Sequence, residues 1–214
     1  KILTKKIVFK KNILTPKSKI LSLKDLKYEK LIEIKKIFKK FVIKPISSGS
    51  SYCTKIIKTN KDFKKFFKNI KEFKKEASSH KEFLIEEFIS GKELTVSTIN
   101  FGNRIEALAV TEIKTRNKFF DYQAKYSRGY AKHTIPAKIS KKNYNKCLKL
   151  AISCHKLLEC NSIARSDFIY NPKANKIYFL EINTQPGLTS ISLLPEQANF
   201  KKISFEKLVM NILE

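Results

Sequence analysis

The sequence predicts an α+β fold of two lobes with largely antiparallel sheets, and three observations carry that expectation. Lysine-rich stretches with apolar residues at helical spacing recur along the chain. The strand-like runs between Phe83 and Ile113 are joined by turns at Gly91 and Gly102-Asn103 rather than by crossover helices. Two late strand-like runs flank the turn-rich Asn171-Pro172-Lys173-Ala174-Asn175. At 214 residues the chain suffices for one domain or for two small lobes sharing a site. The expected division is residues 1–92 and 93–214.

In chain order, Ile2, Leu3, Ile7 and Val8 form a helical stripe ending near Asn12, and Leu26, Leu31, Ile34, Ile37 and Phe38 predict a second helix over 25–39. A buried strand, Phe41 to Lys44, stops at Pro45, and Lys55 to Lys58 returns beside it as a hairpin. Residues 61–77 read as one amphipathic helix. Strands then span Phe83–Phe88, Glu93–Asn100 and Ile105–Ile113. Residues 115–136 are polar and aromatic with no sustained period, the pattern of a disordered segment or a functional lid, and the lid is preferred. A long helix over 141–159 precedes strands Ser162–Tyr170 and Ile177–Asn183, and a loop and a short helix from Ser204 finish the chain.

The formal net charge of +26 raises nucleic acid or an anionic membrane as partners. Yet Arg104, Arg116, Arg128 and Arg165 are the only arginines, whereas nucleic-acid readers favour the arginine fork. Lysine rises together with Ile, Asn and Phe, the skew of an AT-rich coding sequence whose lysines decorate solvated surfaces. No apolar run approaches the ~18 residues that span a bilayer, so the expectation is no membrane, no nucleic acid and a cytoplasmic address. Cys53, Cys147, Cys154 and Cys160 lack a C-x-x-C pair and read as structural thiols, with His155 on a helix surface. Lys1 is no initiator methionine, so the chain reads as a piece of a longer protein.

The sharpest constellation pairs Arg165 and Asp167 on one late strand with Glu181 and Asn183 on the next. Residues two apart on a strand share a face. If the hairpin is centred on Ala174, Asp167 lies opposite Glu181 and Arg165 opposite Asn183. Two carboxylates and an amide oxygen are hard ligands suited to Mg²⁺, and a guanidinium beside them can neutralise an oxyanion. A solvated salt-bridged face is the alternative; the surrounding Ile163, Phe168, Phe179, Leu180 and Ile182 favour the metal, because unpaired buried charge is costly. The following loop, with Gly187 and Ser192, suits a small carboxylate or is a plain loop of small residues. Lys44 precedes the serine loop Ser47–Ser51, which can fold over phosphates although it is no Walker A loop. Glu86, Glu87 and Glu93 flank a strand–turn–strand connection fit for a nucleoside or merely a polar hairpin tip. Lys125 lies in the lid segment, where it could reach a phosphate on closure.

These segments, in this order, resemble the D-alanine–D-alanine ligases of the ATP-grasp superfamily over essentially the whole chain. The agreeing stretches are KILTK at 1–5, FVIKPISSGSS at 41–51, FLIEEFISGKELTV at 83–96, DYQAKY at 121–126, ARSDF at 164–168 and FLEINTQPGLTSISLLP at 179–195. The resemblance implies the ATP-grasp fold without its N-terminal domain, and a role in peptidoglycan precursor synthesis. It implies that Lys1 and Lys44 contact ATP phosphates, that Glu86, Glu87, Phe88 and Ile89 line the adenine pocket, that Glu93 takes the ribose and that Lys125 reaches the γ-phosphate. Asp167, Glu181 and Asn183 would hold two Mg²⁺ ions, with Mn²⁺ as a substitute, and Arg165 would stabilise the reacting carboxylate. Ser192, Leu193 and Gly187 would meet the second D-alanine, and Ser50 and Tyr126 would link the closing loops. Tyr126 resembles the form that makes dipeptide rather than a D-lactate ester.

The implied partners are ATP and D-alanine, with a homodimer in the full-length protein, and the isolated chain would bind nucleotide but work poorly. The chain departs from the family at Tyr52-Cys53, where a small apolar residue and glycine are usual, at Gln123 for glutamate and at Ser162 for glycine. Another ATP-grasp carboxylate–amine ligase, or a degenerate basic RNA-binding relative, are the competing readings.

Overall fold

The structure, a computed structural model, describes residues 1–49, 52–102, 104–115 and 131–213. It forms two compact units: Lys1–Ile2 with Pro16–Ile89, and Leu3–Thr15 with Ser90–Lys114 and the chain from Ala131 onward. Helix α1 (Ile2–Lys10) thus precedes the first unit in sequence but packs with the second, where Val8 and Ile13 enter the core.

In the first unit, β1 (Ser18–Ser22), β2 (Phe41–Pro45), β3 (Lys55–Ile57) and β4 (Glu82–Glu87) form an antiparallel sheet in the order β1-β4-β2-β3. Strand alternation sends Phe41, Ile43, Phe83 and Ile85 to one side, where they pack on Leu31 and Ile34 of α2 (Tyr28–Phe38), Phe63 and Phe66 of α3 (Asn60–Lys68) and Phe73 of α4 (Ile70–Glu76). Lys44 and Glu86 are left on the opposite face. The helix expected over 61–77 is two helices that meet at Asn69 (φ −102°, ψ 17°). The first begins with a capping box: Asp62 N–H donates to Thr59 Oγ1 (3.1 Å) and Thr59 N–H to Asp62 Oδ2 (2.9 Å).

The second unit holds a five-stranded sheet in the order β7-β6-β5-β8-β9, from β5 (Lys92–Phe101), β6 (Arg104–Thr115), β7 (Ala131–Thr134), β8 (Ile163–Asn171) and β9 (Lys176–Asn183), antiparallel from β6 through β9. One face, with Leu94, Val96, Val110, Phe168, Ile177 and Phe179, is covered by Cys147, Ala151 and Cys154 of α5 (Lys141–Leu157). At one end of the other face, Ile99, Leu108 and Ile163 meet Leu194 and Ala198 of α6 (Leu193–Phe200) and Leu208 of α7 (Phe205–Leu213).

Three elements escaped the sequence reading for separate reasons. β1 has only Ile20 and Leu21 as apolar residues, and β7 lies within the polar stretch read as a lid. Helix α6 carries Pro195 near its start, which looks like a breaker but is tolerated in a first turn, where no intrahelical N–H bond is lost. Among the described residues no helix is long and apolar enough to cross a membrane.

His155 corrects the expectation of a surface histidine, for it is fully buried. Its Nδ1 lies 2.8 Å from Thr98 Oγ1 and its Nε2 2.9 Å from the Asn161 carbonyl. Burial lowers its pKa below 6.5 against the opposing pull of its backbone partners. Neutral His155 therefore donates from Nε2 to Asn161 and accepts from Thr98. All four cysteines are free; burial pushes the thiols of Cys147 and Cys154 up to about 12.

Two predictions follow from this packing. A Cβ on Gly91 would stand 2.2 Å from the Tyr170 carbonyl oxygen, so Gly91→Ala should cost about 2 kcal/mol and lower the melting temperature by roughly 4–8 °C. The unfolded chain binds a proton near pH 6.5 that native His155 refuses, so stability is full above that pH and falls as pH drops towards the native pKa, each unit of depression being worth about 1.4 kcal/mol. Melting curves from pH 7.5 to 5 should show a shallower decline for His155→Gln than for wild type.

Candidate functional site

The β8–β9 hairpin builds the principal cluster. At its tip Asn171 pairs with Lys176 and Phe168 with Phe179, so the turn is centred between Lys173 and Ala174 rather than on Ala174. Ala174 N–H donates to Asn171 Oδ1 (3.0 Å), while Asn143 Nδ2 from α5 donates to Tyr170 Oη (2.9 Å) and Asn175 Oδ1 (2.8 Å). Beyond Phe168 the register shifts, and Asp167 faces Glu181 and Arg165 faces Asn183. Leu180 is the extra residue of a β-bulge. It reverses the alternation of β9: Ile177 and Phe179 face α5, whereas Glu181 and Asn183 face the other way, with Arg165 and Asp167. The expected pairs are present, but reached through a bulge and not through a regular hairpin.

Within this cluster Arg165 forks onto Asp167, Nε to Oδ1 and Nη2 to Oδ2, both at 3.0 Å. Thr95 on β5 donates its hydroxyl to the same Oδ1 at 2.6 Å. Asp167 holds the Arg165 guanidinium still more firmly protonated than usual, against the cost of burial, with Glu181 and then Glu93 adding to the pull. One cation thus sits in a field of three carboxylates. Asn183 Oδ1 accepts from Gln185 N–H (3.0 Å), turning the chain into the 184–192 loop. Among the described residues no three His, Cys, Asp or Glu side chains gather as a metal site. The available donor set is two carboxylates and a carboxamide, the hard oxygen chemistry that fits Mg²⁺.

The 184–192 loop closes on itself. Ser192 does not cap α6 with its side chain; its Oγ accepts from Thr189 N–H (3.2 Å) and lies 2.8 Å from Thr189 Oγ1. A Cβ on Gly187 would stand 2.7 Å from that Oγ, so the absence of a side chain at 187 is what admits the hydroxyl. Leu193, the first residue of α6, is buried.

In the first unit, Lys44 Nζ pairs with Glu86 Oε2 at 2.5 Å, both largely buried on the face of the sheet opposite the helices. Lys1 Nζ donates to the carbonyls of Ile46 and Ser48, which brings it to the serine loop. Glu87 pairs with Phe41 in the sheet, and Phe88 lies under Lys58 Nζ, 4.4 Å from its ring centroid. Glu87, Phe88 and Ile89 are half-buried. Cys53, where the family resemblance leads one to expect glycine, has φ +50°, the left-handed backbone that explains a glycine there. Ser50, Lys125 and Tyr126, with the departure at Gln123, lie outside the described residues.

Sequence reasoning missed Thr95, Lys58 and Gln197, and the His133–Glu196 contact (Nδ1 to Oε2, 3.0 Å). Gln197 left a readable signal, since it falls among Leu193, Leu194 and Ala198 at helical spacing, a polar residue on an apolar stripe. Gly187→Ala should displace the Ser192 hydroxyl and free the Thr189 amide. Amide exchange at Thr189 should quicken roughly fivefold, the worth of about 1 kcal/mol of hydrogen bond, with the melting temperature lowered by no more than about 4 °C.

The family model described as D-ala D-ala ligase C-terminus matches residues 13–214. A D-alanine–D-alanine ligase of Wolbachia pipientis wMel is 40% identical over 215 residues, covering 100% of this chain and 64% of the relative. One of Pelagibacter ubique HTCC1062 is 44% identical over 219 residues, covering 100% and 66%. The chain therefore spans about two thirds of the length of these relatives. A crystal structure of the D-alanine–D-alanine ligase from Bacillus anthracis superposes with TM-score 0.76 at 29% identity, over 100% of this chain and 65% of that one. The same enzyme complexed with ATP gives 0.71 at 28%, over 99% and 64%. With its antiparallel sheets and this likeness the fold is that of ATP-grasp ligases, and the chain belongs to the D-alanine–D-alanine ligase C-terminal family.

Proposed function

We propose that this chain is the nucleotide- and metal-binding catalytic part of a D-alanine–D-alanine ligase, joining two D-alanines through an acyl phosphate at the expense of ATP. The observation that carries the reading is the bulged register that sets Asp167 with Glu181 and Arg165 with Asn183 on one sheet face, in a chain of this family.

In this reading Lys1 and Lys44 neutralise ATP phosphates, Glu86 to Ile89 line the adenine pocket, and Glu93 holds the ribose. Asp167, Glu181 and Asn183 hold two Mg²⁺ ions, or Mn²⁺ in their place, whose bound charge offsets that of the phosphates. Arg165, largely buried and firmly charged, stabilises the negative oxygens of the first substrate's carboxylate as it is phosphorylated. The loop from Gly187 to Ser192, with Leu193, orients the second D-alanine so that its amine meets the acyl carbon. Lys125 reaches the γ-phosphate, and Ser50 with Tyr126 closes over the reactants and keeps water out. The complete protein acts as a homodimer in peptidoglycan precursor synthesis.

Saturating Mg²⁺-ATP, at about 100 times its dissociation constant, should stabilise the protein by about 2.7 kcal/mol, or roughly 5–10 °C in melting temperature. The shift should require Mg²⁺ and shrink by more than half in Lys44→Ala and in Glu181→Gln. In the complete ligase, phosphate release should depend on D-alanine. A nucleotide shift indifferent to both substitutions would remove the assignment.

A further inference from the structure

The carboxamide of Gln197 is fully buried in the second unit and bonded at each of its polar atoms. Its Oε1 accepts from Ser97 N–H (2.8 Å), and its Nε2 donates to the Thr95 carbonyl (3.2 Å) and to Thr111 Oγ1 (3.0 Å). These groups surround a second irregularity in the sheet. Thr95 pairs with Thr111 and Val96 with Val110, but Thr98 pairs with Ala107, so Leu108 and Ala109 together oppose Ser97. At such a bulge the regular ladder is interrupted, and the side-chain amide supplies a donor and an acceptor to the main chain of β5 where it is.

The residue so fixed is the one that reaches the candidate metal cluster, for Thr95 donates its hydroxyl to Asp167 Oδ1 at 2.6 Å. Gln197 belongs to α6, which begins immediately after Ser192. One carboxamide therefore joins the helix behind the substrate loop to the strand position behind the metal carboxylate. We propose that Gln197 is a positioning residue for the ligase reaction, setting the aim of Asp167 through Thr95 and the seat of the 187–193 segment through α6. This rests on the function proposed above.

The two routes separate by substitution. Gln197→Leu removes both; Thr95→Val removes only the hydroxyl and leaves the main-chain bonds in place. In the full-length enzyme, Gln197→Leu should raise both the Mg²⁺ concentration for half-maximal rate and the KM for the second D-alanine about tenfold, with the KM for ATP within twofold of wild type. Thr95→Val should raise the Mg²⁺ requirement alone. Mn²⁺ binding in the presence of ADP, read from the free-ion signal by electron paramagnetic resonance, should weaken several-fold in both variants, independently of turnover.

A merely structural glutamine would lower kcat through loss of active protein while Mn²⁺ affinity and both KM values stayed as in wild type, and that result overturns the proposal. Unchanged Mn²⁺ affinity in Thr95→Val overturns it also, even if Gln197→Leu fails to fold. Wild-type enzyme is assayed alongside: if it forms no Mg²⁺-ATP-dependent dipeptide, the proposed function falls and takes this inference with it, whereas active wild type with indifferent variants removes the inference alone.

Discussion

The arrangement of the second unit depends on a conflict within β9. The strand must send Ile177 and Phe179 into the core beneath α5, and a few residues later must keep Glu181 and Asn183 out of it. Strict alternation allows one of these but not both, because residues 177, 179, 181 and 183 share parity. Burying a carboxylate and an amide among Phe168 and Leu94 would carry a desolvation cost of several kcal/mol with no partner to offset it. The extra residue, Leu180, resolves the conflict by resetting which side faces the core. The meeting of Glu181 with Asp167 and the turn at Asn183 presuppose that reset.

A second feature runs through the same unit: three of its buried polar side chains are each held by specific partners. Gln197 is matched to three groups, His155 to a hydroxyl and a carbonyl, and Asn143 to the tyrosine and asparagine that brace the hairpin turn. Such sets are costly to half-satisfy, so they fix geometry more sharply than apolar contacts of similar size. The first unit relies more on aliphatic and aromatic packing beneath its sheet, with the Lys44–Glu86 pair on the opposite face.

What the sequence disclosed follows from this division. Hydrophobic periodicity located most helices and strands, because those elements bury one apolar face each. The partnership of Asp167 with Glu181 was readable from spacing, although the reading had the turn centre slightly displaced and omitted the bulge; the two deviations cancel at the positions that matter. A bulge was not readable, since Leu180 looks like any strand leucine and its effect is on parity. His155 was placed on a surface because adjacent helix positions point in different directions, so its place beside Cys154 signalled nothing; only the fold brings Thr98 and Asn161 to its ring. Gln197 fell within the stretch read as a loop before the helix from Ser204.

The buried thiols give the second unit an internal clock. Cys147 and Cys154 lie on the face of α5 that packs against the sheet, and at neutral pH their thiols are almost wholly protonated in the native state. The thiolate is the reacting form, so an alkylating reagent finds them only when the helix lifts away and their acidity returns to that of an exposed cysteine. Their labelling rate then measures how often α5 leaves the sheet, a local opening distinct from the fraying of the termini. Cys160, less deeply buried just beyond the end of the same helix, provides the nearby reference against which that opening is timed.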